Sequence, residues 1–385
     1  MPARQSHIHH ALPYLFAVVL AGLARPADAA MVASPQTVTQ SSLNAALKAA
    51  RPGDTLVLSG VFSELLITGR DFGGVTIDAR AAHFAGGVIL RQVHNVTFQG
   101  GTYGSRTSVL RSNQTIDVTG SSNISFRHGT IVGDADGRGT GLLIRNSQQV
   151  TVRDSQFEGH RTALAFTGVT SGLLTRNNFV NMSSDGINIT DSHKVIASYN
   201  SCSGFNLTPT AHPDCIQMWS LSGKPMQSDL YLLNNRAVGA MQGFASFDPK
   251  GGSGERLTFA GNYVESHFPQ GIACYGCFDS RFLDNVLIAE PGARWRTSMN
   301  IIGGAGNTIS GNQILDWRKG PGLLAISQRF TDLVPSIAGV GSRLDNRGFG
   351  ASAVPEPAIW AQFIIGFMVV GLVRRGRHSM MTRAC

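Results

Sequence analysis

The chain has 385 residues, 45 of them glycine, only 8% aromatic and 15% charged side chains, and a formal charge of +8. This composition, rich also in Asn, Ser and Thr, argues for turns and strands. Six of the arginines and two of the acidic residues lie in the terminal segments, which leaves the central region at about +4. That region has no basic stripe of the kind that tracks nucleic acid.

Residues 1–29 have the organisation of a secretory signal. Arg4 and three histidines precede an apolar run over 11–24, and Ala27-Asp28-Ala29 supplies a small-residue cleavage site. The apolar run is shorter than the roughly 20 residues that a membrane helix needs. The mature chain then begins near Ala30. An exported chain meets oxidising surroundings in which disulfides persist. Five cysteines are present, Cys385 among them in the tail, but their spacing does not define pairs.

An amphipathic helix is predicted over residues 41–50, with Leu43, Ala46, Leu47 and Ala50 on one face and Ser41 or Ser42 as its cap. It leads into Arg51-Pro52-Gly53-Asp54-Thr55-Leu56-Val57-Leu58, a turn followed by a strand. From there an asparagine recurs as a rung marker at Asn177, Asn200, Asn235, Asn262, Asn285 and Asn312, with Gly101, Gly129 and Ser155 in the same slot earlier. A period of about 22–28 residues built from short β-prone runs is the signature of a solenoid. The helix is the cap that its first coil requires. Helix, Arg-Pro-Gly-Asp turn and repeat together resemble the right-handed parallel β-helix proteins of the pectate-lyase-like class, which include polysaccharide lyases related to chondroitinase B and alginate lyases. The resemblance implies an all-β parallel β-helix over residues 30–345 and activity toward a polysaccharide.

Each coil carries a second alignable strand. Leu142, Leu164, Ile187, Ile216, Phe244, Ile272 and Met299 share one column, and Ile144, Phe166, Ile189, Met218, Ser246, Cys274 and Ile301 another. Strand alternation points both columns inward. Between and beside them, Ala165, Asn188, Gln217, Ala245, Ala273 and Asn300 point outward, as do Trp219, Phe247 and Tyr275 on consecutive rungs. Asp185, Asp214, Gln242 and Gln270 share the slot just before these strands. Carboxylates, amides and aromatic rings side by side suit a chain of sugars, whose CH faces stack on rings and whose hydroxyls bond polar groups. Asn188, Gln217, Trp219, Gln242, Phe247, Gln270 and Tyr275 are therefore the candidate substrate-binding residues. The aromatic column has a second reading as a small satellite core roofed by residues 205–213.

One interval breaks the period. About 35 residues separate Asn200 from Asn235, and they contain His212-Pro213-Asp214-Cys215-Ile216-Gln217-Met218-Trp219. A solenoid takes up extra residues as a loop that leaves the stack, so this rung nominates the working surface. Asp185 and Asp214 in register lie about 5 Å apart. Such a pair suits the acid and the base or nucleophile of glycoside hydrolysis, or a Ca²⁺ site. The bland reading is that each aspartate caps its own turn. In the alternative chemistry, β-elimination or C5 epimerisation of a uronate, His212 and Lys250 serve as base and charge neutraliser while Asp185 and Asp214 hold calcium. The Cys274-x-x-Cys277 pair lacks the further ligands of a zinc site and falls on an inward column. Asp134-Ala135-Asp136-Gly137 is a turn.

After a linker at residues 346–353, Val354-Pro355-Glu356-Pro357 opens an apolar stretch over 358–373 that ends in Arg374-Arg375-Gly376-Arg377. The stretch is short for a membrane span and carries a basic stop. In order and spacing it closely resembles the PEP-CTERM sorting signal of Gram-negative bacteria. That resemblance implies export, handling by an exosortase-type enzyme, membrane contact through the C-terminal segment, and a place at the cell surface or in the extracellular matrix. The expectation is a monomeric, exported, carbohydrate-active protein acting on an extracellular, acidic polysaccharide by lyase, epimerase or hydrolase chemistry. The competing class is a non-catalytic glycan-binding or matrix scaffold protein.

Overall fold

The computed structural model describes residues 38–107, 113–133, 137–221, 223–247 and 254–318, with strand Gln328–Thr331 as backbone. All of them belong to the first of two compact units, Met1–Val334. The signal segment, the tail, Lys250 and the turn at 134–136 lie outside the described residues. Among the described residues no helix is long and apolar enough to cross a membrane.

The chain winds as a right-handed β-solenoid of about nine turns. Strands stack in parallel, each on its counterpart one coil away. Thr162–Thr167 pairs with Asp185–Thr190, which pairs with Asp214–Trp219, then Gln242–Phe247, Gln270–Phe278 and Ser298–Ala305. The register matches the columns expected from sequence: Leu164, Ile187, Ile216, Phe244, Ile272 and Met299 are direct neighbours and fully buried. Like side chains therefore meet like. Phe98 stacks on Phe126, Phe157 packs on Phe179, and Phe259 stacks on Phe282, with ring centroids 5.0–5.1 Å apart. One strand spacing is about 4.8 Å, so aromatic stacking comes with the repeat at no conformational cost.

The entry to the solenoid is the helix Leu43–Ala49, which buries Leu43 and Leu47 against the first coil. Its capping differs from expectation. Ser42 stands at the N-cap without a side-chain bond into the helix. Its Oγ accepts instead from the Thr39 backbone N–H at 3.0 Å, because the preceding turn claims it first.

The asparagine ladder holds the turns. Asn177 Nδ2 and its backbone N–H both donate to Asn200 Oδ1, and Nδ2 also donates to the Val152 carbonyl. The same set repeats at Asn200, Asn235, Asn262 and Asn285. The residue before each ladder asparagine takes a left-handed conformation, with φ of 54° at Arg176, Tyr199 and Asn234 and 64° at Gly261. This tight corner aims the following amide along the axis. Each ladder asparagine from Asn177 to Asn285 is almost fully buried and bonded on both sides, which is how a turn inside the stack satisfies its backbone.

Removing one rung of this ladder exposes the dependence. Asn235→Ala strands the backbone N–H and one Nδ2 hydrogen of Asn200 and frees the Ala197 carbonyl. We expect a loss of about 2–4 kcal/mol by urea denaturation, against about 0.5 kcal/mol or less for the exposed Lys48→Ala.

Candidate functional site

The overlong rung leaves the stack after strand Ser201–Ser203 and re-enters at Asp214–Trp219. Residues 204–213 fold back along the preceding coil. The Asn206 N–H donates to the Met182 carbonyl at 2.8 Å and the Thr208 N–H to the Ser183 carbonyl at 3.3 Å, with Phe205 buried as an anchor. The loop thus lies over the start of strand Asp185–Thr190 and delivers His212 beside Asp214. His212 Nδ1 is 3.0 Å from Asp214 Oδ2, and its Nε2 is 3.0 Å from the Gln242 amide nitrogen.

The two carboxyl groups sit on adjacent rungs. The Asp214 backbone N–H donates to Asp185 Oδ1 at 3.3 Å. Asn188 Nδ2 and Thr162 Oγ1 donate to Asp185 Oδ2 at 3.3 and 3.5 Å, and Gln217 Nε2 donates to Asp214 Oδ2 at 3.0 Å. One oxygen is left over. Asp214 Oδ1 is buried without a hydrogen-bond partner among the described residues, as are Gln242 Oε1 and Gln270 Nε2. Unsatisfied polar atoms on three successive rungs of one column mark a place where water or a ligand hydroxyl completes the bonding.

Burial sets the electrostatics. Asp185 is 5% exposed and Asp214 0%. Desolvation, reinforced by the neighbouring Asp214 charge, pushes the Asp185 carboxyl up to about 6. For His212 burial opposes the charged ring, but the attraction of Asp214, its hydrogen bond and the more distant Asp185 together hold the imidazole above its ordinary value. One group of the carboxyl pair is thus disposed to carry a proton, beside a histidine whose Nδ1–H bonds Asp214 and whose Nε2 accepts the Gln242 amide.

This geometry corrects the expected exposure of the carboxylate and amide columns. Asp185, Asp214, Gln242 and Gln270 do not line an open surface, and neither do Gln217, Ala245 and Ala273: all are buried. The loop at 204–213 lies over the Asp185 rung, and the amides turn inward to the carboxyls. Asn188, Gln217 and Gln242 place N–H groups on Asp185, Asp214 and His212. For the calcium reading, no group of three or more His, Cys, Asp or Glu side chains among the described residues is arranged to hold a metal ion. Asp185 Oδ2 and Asp214 Oδ2 already accept N–H donors, so a cation would have to rely on the partnerless oxygens Asp214 Oδ1, Gln242 Oε1 and Asn188 Oδ1.

The aromatic column is present as expected. Trp219 and Phe247 stack with centroids 6.2 Å apart, and Tyr275 is the next rung in register with Phe247, all three half-buried. They stand at the far end of the same strands, five residues from the carboxyl column.

The sequence reading missed the covalent tie across the loop. Cys202 and Cys215 form a disulfide that brackets it, which restrains the unfolded chain by about 3 kcal/mol for a loop of this length. Cys274 and Cys277 form a second, local pair. The one signal available was position: Cys202 and Cys215 stand on either side of the irregular interval.

Asp185 should reveal itself through stability. Its folded pKa lies above the unfolded value of 3.8, so its contribution is intact below pH 3.8 and is lost as pH rises through about 6. Asp185→Asn should therefore be more stable than the parent at pH 8 by up to about 3 kcal/mol, with the gain gone near pH 4, in paired denaturation curves.

The sequence profile of the right-handed β-helix region matches residues 66–204 and 115–314. No curated protein matches the chain. Among solved structures, the A-module of a mannuronan C-5 epimerase from Azotobacter vinelandii is similar at a TM-score of 0.48 and 13% identity, over 78% of this chain and 94% of that one. A DFA-IIIase from Arthrobacter chlorophenolicus A6 gives 0.47 and 11% identity, over 79% and 86%. The surface adhesin PfbA of Streptococcus pneumoniae gives 0.46 and 12%, over 76% and 85%.

Proposed function

The chain belongs to the right-handed β-helix family, and from that premise we propose that it is an exported, carbohydrate-active protein that cleaves a glycan chain by carboxyl-pair chemistry at Asp185 and Asp214. One observation carries the reading: two buried carboxyl groups stand one rung apart, one pushed up to about 6 and the other with an unpartnered oxygen. A solenoid turn needs no such pair. Burying two acids together is costly and is found where a proton must be donated and a charge kept close by.

In this reading Asp185 is the general acid. It gives its proton to the glycosidic oxygen as the bond to the anomeric carbon breaks. Asp214 Oδ1 meets the developing positive charge on that carbon, and a separation of one rung, about 5 Å, is that of double displacement. Oδ1 bonds that carbon as the leaving oxygen departs with the Asp185 proton, and water then displaces the glycosyl ester, giving a proton to Asp185 and freeing the Asp214 carboxylate. His212 and Gln217 place their N–H groups on Asp214 Oδ2, which leaves Oδ1 as the reactive oxygen. Both ring nitrogens of His212 are engaged, so the ring orients Asp214 rather than acting on substrate. Trp219, Phe247 and Tyr275 offer ring faces to sugars on the same strands. Asp214 is fully buried in the described state, so part of residues 206–211 must shift to admit a sugar while His212 stays on Asp214.

Export and sorting belong to the same proposal: the N-terminal segment and the Pro-Glu-Pro tail support a reaction on a surface or matrix polysaccharide, which the mildly basic central region allows to be acidic.

The test is incubation of the full-length chain with a panel of neutral and acidic polysaccharides, following new reducing ends and the absorbance of unsaturated products together. Reducing ends without unsaturation are expected, with kcat/KM falling about tenfold per pH unit above about pH 6 as Asp185 loses its proton. Asp214→Asn and Asp185→Asn should each lower kcat by about 10³-fold or more without loss of fold. Unsaturated products would move the chemistry to elimination. Bound but unaltered polymer would leave a glycan-binding scaffold.

A further inference from the structure

Cys202 lies in strand Ser201–Ser203 and Cys215 in strand Asp214–Trp219. Their sequence separation of 13 encloses the whole insertion that carries His212. Both residues are fully buried. The bond lies under both carboxyl-bearing rungs. Cys215 follows Asp214 directly. On the other rung, a Cβ at Gly186, the residue after Asp185, would come within 2.9 Å of Cys202 Sγ and 2.6 Å of the Cys215 carbonyl oxygen. Glycine at 186 leaves room for the sulfur pair, so the bond and the two aspartates occupy one tightly packed block.

We propose that the Cys202–Cys215 disulfide is a positioning element of the site. It sets the seating of the Asp185 and Asp214 rungs against each other and closes the base of the loop so that His212 returns to Asp214. The competence of the site thereby depends on oxidation, while the solenoid does not. Reduction by a dithiol delivers two electrons and two protons: the S–S bond breaks, each sulfur takes a proton, and the dithiol becomes a disulfide. The opened loop then keeps only weak ties, among them the Asn206 and Thr208 bonds to Met182 and Ser183, against a larger closure entropy. Cys274–Cys277 provides an internal contrast. It spans two residues within strand Gln270–Phe278 and encloses no insertion.

The inference rests in part on reading Asp185 and Asp214 as the reactive pair, so the experiment has two independent arms. Hydrogen–deuterium exchange and glycan turnover are measured on the oxidised full-length chain, on Cys202→Ser/Cys215→Ser and on Cys274→Ser/Cys277→Ser. In the first variant, amides in residues 204–214 should exchange at least about tenfold faster, while the ladder amides of Asn177 and Asn262 stay protected. Turnover should fall by about 100-fold in kcat with KM changed less than about threefold, because displaced groups cost the chemical step more than binding. The second variant should match the parent in both. Should the first variant not fold, reduction of the folded parent by dithiothreitol must produce the same local rise in exchange, reversed on reoxidation. Unchanged exchange in 204–214, or undiminished kcat in a folded variant, overturns the clamp. Absence of turnover in the parent overturns the proposed function alone, since the exchange arm still decides the clamp.

Discussion

The coils from Asn177 to Asn312 hang on one repeated bond set, in which an asparagine side chain accepts two N–H groups from the coil before it and donates to the coils on either side. A solenoid turn must run through the interior of the stack, where an unpaired backbone group costs as much as a lost hydrogen bond. Asn177, Asn200, Asn235, Asn262 and Asn285 each settle that cost with one side chain. The ladder also fixes register, because a coil that slipped by one residue would misplace its amide and turn its inward columns to solvent. The phenylalanine stacks and the carboxyl pair both follow from that register.

The ladder was legible because it is local and periodic. The short runs between its asparagines alternate, so the inward columns from Leu142 to Met299 and from Ile144 to Ile301 could be written down from spacing alone. The juxtaposition of Asp185 with Asp214 and the aromatic column of Trp219, Phe247 and Tyr275 came from the same register. What spacing does not contain is where an insertion goes once it leaves the stack. The burial of Gln217, Gln242 and Gln270, the inward turn of the amides and the grip of His212 on Asp214 all belong with the path of residues 204–213, which follows from contacts distant in sequence. The cysteine pairing lay between these cases: the positions of Cys202 and Cys215 were visible, but only the path of the loop shows that their sulfurs meet.

The site also shows how a rigid scaffold accommodates groups that oppose its stability. Desolvation and the charge of its neighbour work against an ionised Asp185, and both arise from neighbouring rungs that the fold cannot separate. The compensations are local. Asn188, Thr162 and the Asp214 backbone N–H bond Asp185, and His212 and Gln217 bond Asp214. Each donor is itself held by the strand or loop that carries it, so the acidic pair is stabilised by the regular rungs around it and by the single irregular one.

That division explains why the irregular rung needs a covalent tie when the others do not. A regular coil is positioned twice, by the coil before and the coil after, and the asparagine at its corner reports to both. An inserted loop has a neighbour only where it touches down, and here it touches down through a few backbone bonds, the apolar contacts of Phe205, Leu207 and Pro213, and the side-chain bonds of His212. Left to those contacts, His212 would sample many positions, and a histidine displaced by an ångström no longer orients Asp214. The Cys202–Cys215 bond restores by covalent chemistry the positioning that repetition gives the rest of the chain. It does so at the point where the loop departs and returns, beneath the two aspartates whose spacing matters most.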